Sequence, residues 1–133
     1  MISKALISAL TDHLPQAVIV FDQKEEVVYC NDSAAQFWQR DSQRLLGKQS
    51  RKLFHADVMI QEKIRGVLNS GNVFRMGGYV LKTPPLQERG AEIVIAPVRN
   101  KTGKVKQAVI TLLESTTLQE TQARELEEQL SRA

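Results

Sequence analysis

Several features that define common protein classes are scarce or missing in this sequence. Cys30 is the single cysteine among 133 residues, which excludes an intramolecular disulfide and a cysteine-based zinc site. No apolar run approaches the roughly 18 residues of a membrane span, and the first residues lack the continuous apolar stretch of a signal peptide. We therefore expect a cytoplasmic chain with no direct membrane contact, in agreement with its lone thiol.

Charge of one sign and aromatic residues are also scarce. The net charge is only +3, from 18 basic and 15 acidic residues, and aromatic residues make up 5%. The one local gathering of basic residues is Arg44, Lys48, Arg51 and Lys52. Nucleic-acid binders usually carry a denser basic stripe interleaved with aromatic residues. We interpret this gathering as a solvated helix face and expect no nucleic-acid partner.

Catalytic motifs are missing as well. The sequence has no Gly-x-Ser-x-Gly elbow and no phosphate-cradling Walker loop. Gly77 and Gly78 lie inside a strand pattern, where a β-bulge is the expected structure. The paired glutamates at 25–26 and 127–128 fall in a turn and on an exposed helix face, as solvated charge does. We therefore predict no catalytic residues and no metal site in this chain.

The first third of the chain predicts a helix, a hairpin and a second helix. Apolar residues recur at helical spacing over 3–13, and Pro15 ends that helix. Residues 17–21 and 27–30 are apolar runs separated by a polar turn, which is typical of a β-hairpin. Asn31 follows directly, and its side-chain oxygen is suited to cap the helix that begins there.

The rest of the chain changes from helical to strand periodicity. A short helix over 42–46 ends at Gly47, and a longer one begins at Asp57 with apolar residues at i, i+4, i+7 and i+8. Residues 73–83, 89–99 and 104–115 then predict three long strands joined by turn sequences. A polar helix over 117–132 starts with a capping box.

This order of elements resembles the PAS family, and sequence matches at its joints support the resemblance. The segments that resemble PAS motifs are 14–22, 27–35, 45–48, Gly90, 96–98 and Gly103. The resemblance implies an α+β fold, a five-stranded antiparallel sheet with short helices over one face, flanked by an N-terminal amphipathic helix and a C-terminal linker helix. The corresponding division is an N-terminal helix over 1–15, a PAS core over 16–116 and a helical linker over 117–133.

Glu114, Ser115 and Thr116 occupy the place of the Asp-hydrophobic-Thr signature that joins a PAS core to its output helix. The acid here is glutamate and the middle residue is polar, so the signature is degraded. The resemblance implies that these residues transmit the signal.

Two PAS cofactors can be compared with this sequence. Light-sensing flavin members carry a reactive cysteine, and Ser50 stands in the comparable place, so we expect no thiol-adduct photochemistry. Haem-binding members place a histidine in the long helix, whereas His55 lies just before it. Haem bound through His55 stays open as a minor alternative, and the main expectation is no cofactor. Cys30 is interpreted as a small buried apolar residue.

Large apolar residues are candidates to face the inner surface of the sheet, either as core or as the lining of a ligand pocket. They are Phe37, Trp38, Leu53, Phe54, Ile60, Ile64 and Leu81. A chain of this length has a limited core from which a cavity must be subtracted. We therefore favour a filled core.

The two ends of the chain carry apolar stripes that predict assembly. Their members are Ile2, Leu6 and Leu10 at one end, and Ala123, Leu126 and Leu130 at the other. The second stripe has coiled-coil spacing. The leading hypothesis is a homodimeric relay module that feeds a histidine kinase or cyclic-di-GMP output in the same chain. The alternative is a PAS sensor that binds haem or another small-molecule ligand in a genuine pocket.

Overall fold

The computed structural model describes residues 14–82 and 90–114, together with residue 9. The elements in chain order are β1 (Ala17–Phe21), β2 (Val27–Cys30), α1 (Asp32–Phe37), α2 (Ser42–Leu45), α3 (Ser50–Leu53), α4 (Val58–Ser70), β3 (Phe74–Val80), β4 (Gly90–Arg99) and β5 (Val105–Glu114). Between residues 14 and 114 this order is the predicted one, with one addition. The predicted helices over 3–13 and 117–132 lie outside the described residues, apart from residue 9. Helix α3 was not predicted, since four residues are too few to show a period.

The strands form one antiparallel sheet in the order β2-β1-β5-β4-β3. The predicted hairpin forms between β1 and β2, and β1 also pairs with β5, where Ala17 lies opposite Leu112. Strands β3 and β4 complete the sheet. The α+β architecture and the five-stranded antiparallel sheet expected from the PAS resemblance are confirmed.

The main core lies between one face of the sheet and the helices. Alternate residues of the two longest strands point into it, among them Ile93, Ile95, Ile110 and Leu112, all buried. A smaller cluster on the opposite sheet face contains Val18, Val20 and Tyr29. Both faces of β1 are therefore buried, which explains why its five residues form an unbroken apolar run.

Strand β3 is shorter than the predicted strand over 73–83. It ends at Val80, because the backbone N–H of Lys82 donates to the Asp57 carboxylate (2.9 Å), away from the sheet. The predicted bulge is present, since the pairing register with β4 shifts between Met76 and Tyr79. Gly78 lies there with φ +65°, which favours glycine.

Candidate functional site

The apolar residues predicted to face the sheet belong to one core cluster. Trp38, Leu53, Phe54, Ile60, Ile64 and Leu81 are buried in it, and Phe37 packs against it while partly exposed. Their neighbours from the sheet include Ile19 and Ile95, both fully buried. These side chains therefore form the part of the main core that lies between the helices and the sheet.

Aromatic contacts join α1 to α3 within this core. The ring of Trp38 meets Phe54 edge-on at a centroid distance of 5.4 Å and lies 4.6 Å from Phe37. The Trp38 Nε1–H donates to the carbonyl of Leu53 (3.4 Å). The indole thus has a hydrogen-bond partner although it is buried, as tryptophan requires.

Asn31 is fully buried and holds three segments together. Its Oδ1 accepts from the backbone N–H of Ala34 (2.9 Å), which is the predicted helix cap. The same oxygen accepts from the N–H of Val18 (2.9 Å), and Nδ2 donates to the carbonyl of Gln16 (3.0 Å). Asn31 is therefore a cross-link between β1 and the β2–α1 junction as well as a cap.

Ser50 and Glu25 connect the β1–β2 turn (residues 22–26) to the helices. The buried Ser50 hydroxyl donates to Glu25 Oε1 (2.9 Å), and Arg65 Nε on α4 donates to Glu25 Oε2 (3.0 Å). The Ser50 N–H also donates to the Glu25 carbonyl (2.9 Å). Ser50, which the resemblance places where light-sensing members carry a reactive cysteine, is thus engaged in a hydrogen bond between the turn and α3.

Asp57 forms a second polar cross-link, at the start of α4. Its buried Oδ1 accepts from the Tyr79 hydroxyl (3.0 Å) and from the Lys82 N–H (2.9 Å). The end of β3 is thereby tied to the long helix. Sequence reasoning identified Asp57 as a helix start but missed this role, because its partners lie 22 and 25 residues away and no local pattern connects them.

The hydrogen bond to Asp57 has a consequence for the ionisation of Tyr79. Partial burial, the Asp57 hydrogen bond and the Asp57 charge all favour the neutral phenol and raise the pKa of Tyr79 to about 12. In a Tyr29→Phe background Tyr79 is the only phenol. We expect its phenolate absorbance to appear near pH 12, and to appear at lower pH when Asp57→Asn is added.

The stability effect follows from the direction of this shift. A pKa that is higher in the folded state stabilises the fold below the unfolded value of about 10, and that contribution is lost as pH rises through about 12. The difference in stability between the Tyr29→Phe protein and its Tyr79→Phe derivative should therefore shrink over this range. A phenol that titrates near pH 10 whether Asp57 is present or replaced would contradict the assigned contact.

Comparisons with known proteins agree with this architecture. The family model described as "PAS fold" matches residues 5–114. The chain belongs to the PAS family. A comparison with curated proteins found no match.

Solved structures show where this PAS fold recurs. The PAS domain of histidine kinase ThkA is 21% identical, with a TM-score of 0.62, over 73% of this chain and 96% of that one. A sensory box sensor histidine kinase from Vibrio cholerae is 18% identical, with a TM-score of 0.66, over 84% and 90%. The Vibrio cholerae VqmA dimer is 16% identical, with a TM-score of 0.69. At these identities the likeness establishes the fold alone.

The match to VqmA is partial in length. The aligned region includes 85% of this PAS chain but only 52% of VqmA, so the chain spans about half the length of VqmA. Other structures show VqmA bound to DPO and in a ligand–DNA complex. These properties are stated for VqmA. They leave the expectation of no nucleic-acid partner for this PAS chain as a prediction.

The structure places the two residues that were considered for cofactor chemistry, Cys30 and His55, in different surroundings. Cys30 is buried in the core, as predicted for a small apolar residue. Its Sγ also donates to the carbonyl of Ser42 (3.6 Å). Burial, reinforced by the nearby Asp32 charge, raises the pKa of the Cys30 thiol and favours its unreactive form. His55 is exposed in the turn between α3 and α4. Haem bound through His55 stays an untested hypothesis.

Other predicted residues fall partly outside the described ranges. Glu114 is the last residue of β5. Ser115 and Thr116 of the transmission signature lie outside the described residues. So do the members of both terminal stripes, Ile2, Leu6, Leu10, Ala123, Leu126 and Leu130. The domain boundaries at 15 and 116 stay predictions.

The described residues show neither a metal-binding cluster nor a membrane-spanning helix. Within residues 14–82 and 90–114, no three histidine, cysteine, aspartate or glutamate side chains lie close enough together to hold a metal ion. In the same part of the chain, no helix is both long enough and apolar enough to cross a bilayer.

Proposed function

We propose that this PAS domain is a non-catalytic cytoplasmic relay module that dimerises and passes a signal through the segment after β5 to an output domain. A histidine kinase or a cyclic-di-GMP enzyme in the same chain is the proposed output. The observation that carries the proposal is that the first strand begins beside the end of the last one. Ala17 opens β1 opposite Leu112, two residues before β5 ends at Glu114.

The start of β1 and the end of β5 lie at the same end of the sheet. The chain therefore enters and leaves the sheet at the same end, which favours an assembly that uses both terminal segments. Two-fold symmetry would pair like segments along one axis. A parallel dimer through both stripes is therefore the assembly that we propose.

The burial of the inner apolar side chains supports a relay role over a ligand-binding role. A ligand of drug size needs roughly 300 Å³ or more of concave space. The side chains that would line such a space here, including Phe54, Ile60 and Ile64, are fully buried against one another and the sheet. A signal would then enter as a change in packing or assembly.

Replacing Leu6 and Leu10 together with glutamate tests the dimer. We expect the double variant to sediment as a monomer where the wild-type protein sediments as a dimer, because charged residues on the stripe oppose its burial. The core should stay folded, which circular dichroism and an unchanged urea midpoint would show. The matched control replaces Lys24 and Lys101, exposed residues at the opposite end of the sheet, with glutamate.

Two results would contradict the proposal. A wild-type protein that stays monomeric at high micromolar concentration would refute the dimer. A bound compound in stoichiometric amount in the native mass spectrum, or a Soret or flavin band in the absorbance spectrum, would favour the alternative of a ligand-binding PAS sensor.

A further inference from the structure

Three shallow depressions adjoin one another at the end of the sheet where the β1–β2 turn lies. The first and second share Gln49, the first and third share Lys24, and the second and third share Glu26. They therefore form one continuous surface, which we term the basic surface. Its cations are Lys24, Lys48, Arg51, Lys52, Arg65 and Lys106.

The basic surface accounts for the net charge of the protein. It contains six of the 18 basic residues, but only three of the 15 acidic ones, namely Asp22, Glu25 and Glu26. The rest of the chain therefore has equal numbers of basic and acidic residues. A charge excess confined to one region produces a local field that attracts acidic partners.

Two of the three carboxylates are occupied by contacts within the domain. Asp22 Oδ1 accepts from the N–H groups of Lys24 (2.9 Å) and Glu26 (3.0 Å), and Glu25 is held by Ser50 and Arg65. Across residues 14–82 and 90–114, the cations at 24, 48, 51, 52 and 106 make no ion pair. Within the described ranges, the surface thus presents these five cations against one carboxylate, that of Glu26, which makes no hydrogen bond or ion pair there.

The backbone beneath these cations is held in a fixed arrangement. The N–H of Gly47 donates to the carbonyl of Val27 (2.8 Å), and the N–H of Val27 donates to the carbonyl of Lys48 (2.9 Å). A β-bridge between Glu26 and Gln49 extends this pairing. Segment 47–50 therefore continues the sheet next to β2, and a partner would meet a preorganised surface.

The basic surface lies at the end of the sheet opposite to the start of β1 and the end of β5, where the terminal segments join the sheet. Val105, whose carbonyl accepts from the side chain of Gln23, begins β5 near the turn, whereas Glu114 ends β5 beside the terminal segments. The ten residues of β5 separate these ends by about 30 Å at the usual rise per residue.

We propose that the basic surface docks an acidic protein segment that carries one apolar side chain. Leu46 supports a protein partner, because it is 43% exposed and lines the same depression as Lys48 and Lys52. Nucleic acid is less well matched, since the cations are few and none of the lining side chains is aromatic, so no base could stack there.

Fluorescence anisotropy with three labelled probes tests the proposal. The first probe is a twelve-residue peptide with alternating glutamates around a central leucine. The second has glutamine in place of each glutamate, and the third is a twelve-base-pair DNA duplex. The full chain should bind the first probe, with affinity falling as salt rises, and should bind the other two at least about tenfold more weakly.

Two double variants of equal charge change locate the site. Lys48→Glu with Lys52→Glu should weaken binding of the acidic peptide by about tenfold or more. Arg40→Glu with Arg75→Glu, both exposed and outside the basic surface, should change it by less than about twofold. Leu46→Ser should weaken peptide binding by about threefold and leave DNA binding unchanged.

The outcomes separate the explanations. Equal losses in the two double variants would show attraction to net charge alone and overturn the proposal. Tighter binding of the DNA duplex than of the peptide would assign the surface to nucleic acid instead. Absence of peptide binding at low salt would also overturn it. None of these results depends on whether the protein dimerises.

Discussion

Replacing Asn31 with alanine is expected to lower the free energy of unfolding by about 3 kcal/mol. A helix cap alone is worth about 1 kcal/mol. The side chain is 0% exposed, however, and its removal also leaves the N–H of Val18 and the carbonyl of Gln16 without this partner. Buried groups that lose a hydrogen bond keep the full cost of their desolvation. Urea denaturation measures the loss.

Asn100 supplies a matched control for this measurement. Its Oδ1 accepts hydrogen bonds from Thr102 N, Thr102 Oγ1 and Lys104 N, but it lies in the solvent-exposed β4–β5 turn. Asn100→Ala should cost no more than about 1 kcal/mol, because water replaces the lost acceptor. Similar losses for both variants would show that the buried cross-link contributes no more than an ordinary turn contact.

Replacing Asp57 with alanine should cost about 3 kcal/mol as well, for a different reason. The carboxylate is 1% exposed and accepts from both Tyr79 and the Lys82 backbone. Its loss leaves both donors without this acceptor and releases the end of β3 from α4. Asp57→Asn keeps an acceptor of the same shape, so we expect it to cost only about 1 kcal/mol.

A double-mutant cycle isolates the contribution of the tyrosine. Tyr79→Phe removes the hydrogen bond from the phenol to Asp57 and should cost about 1 kcal/mol. Combined with Asp57→Ala, it should add almost nothing further, since the partner is already gone, which gives a coupling of about 1 kcal/mol. Additive losses would show that the two side chains act independently and would contradict the Asp57–Tyr79 contact.

Local patterns predicted most elements of the fold because their causes are local. The apolar runs at 17–21 and 27–30, the cap at Asn31 and the spacing of Ile60 and Ile64 each depend on residues within two turns of one another. The strand over 90–99 was predicted within one residue for the same reason. The resemblance to PAS domains then predicted that all five strands belong to one antiparallel sheet.

Features that depend on distant partners were missed or misplaced. The predicted third strand was too long because nothing in 73–83 shows that the Lys82 N–H bonds to Asp57, 25 residues earlier. The gathering of Arg44, Lys48, Arg51 and Lys52 was interpreted as one helix face. Arg44 instead lines a separate depression beside α1 and α2, and the other three join residues from the β1–β2 turn and α4.

The bulge at Gly77 and Gly78 affects how copies of this protein behave at high concentration. Strand β3 is at the edge of the sheet, with β4 as its one neighbour among the described residues, and Val73 and Val80 beside it are exposed. An edge strand with exposed apolar residues and no bulge can recruit strands from other molecules and start aggregation. The bulge interrupts the regular spacing of hydrogen-bonding groups, so that a second β3 cannot align along the whole strand.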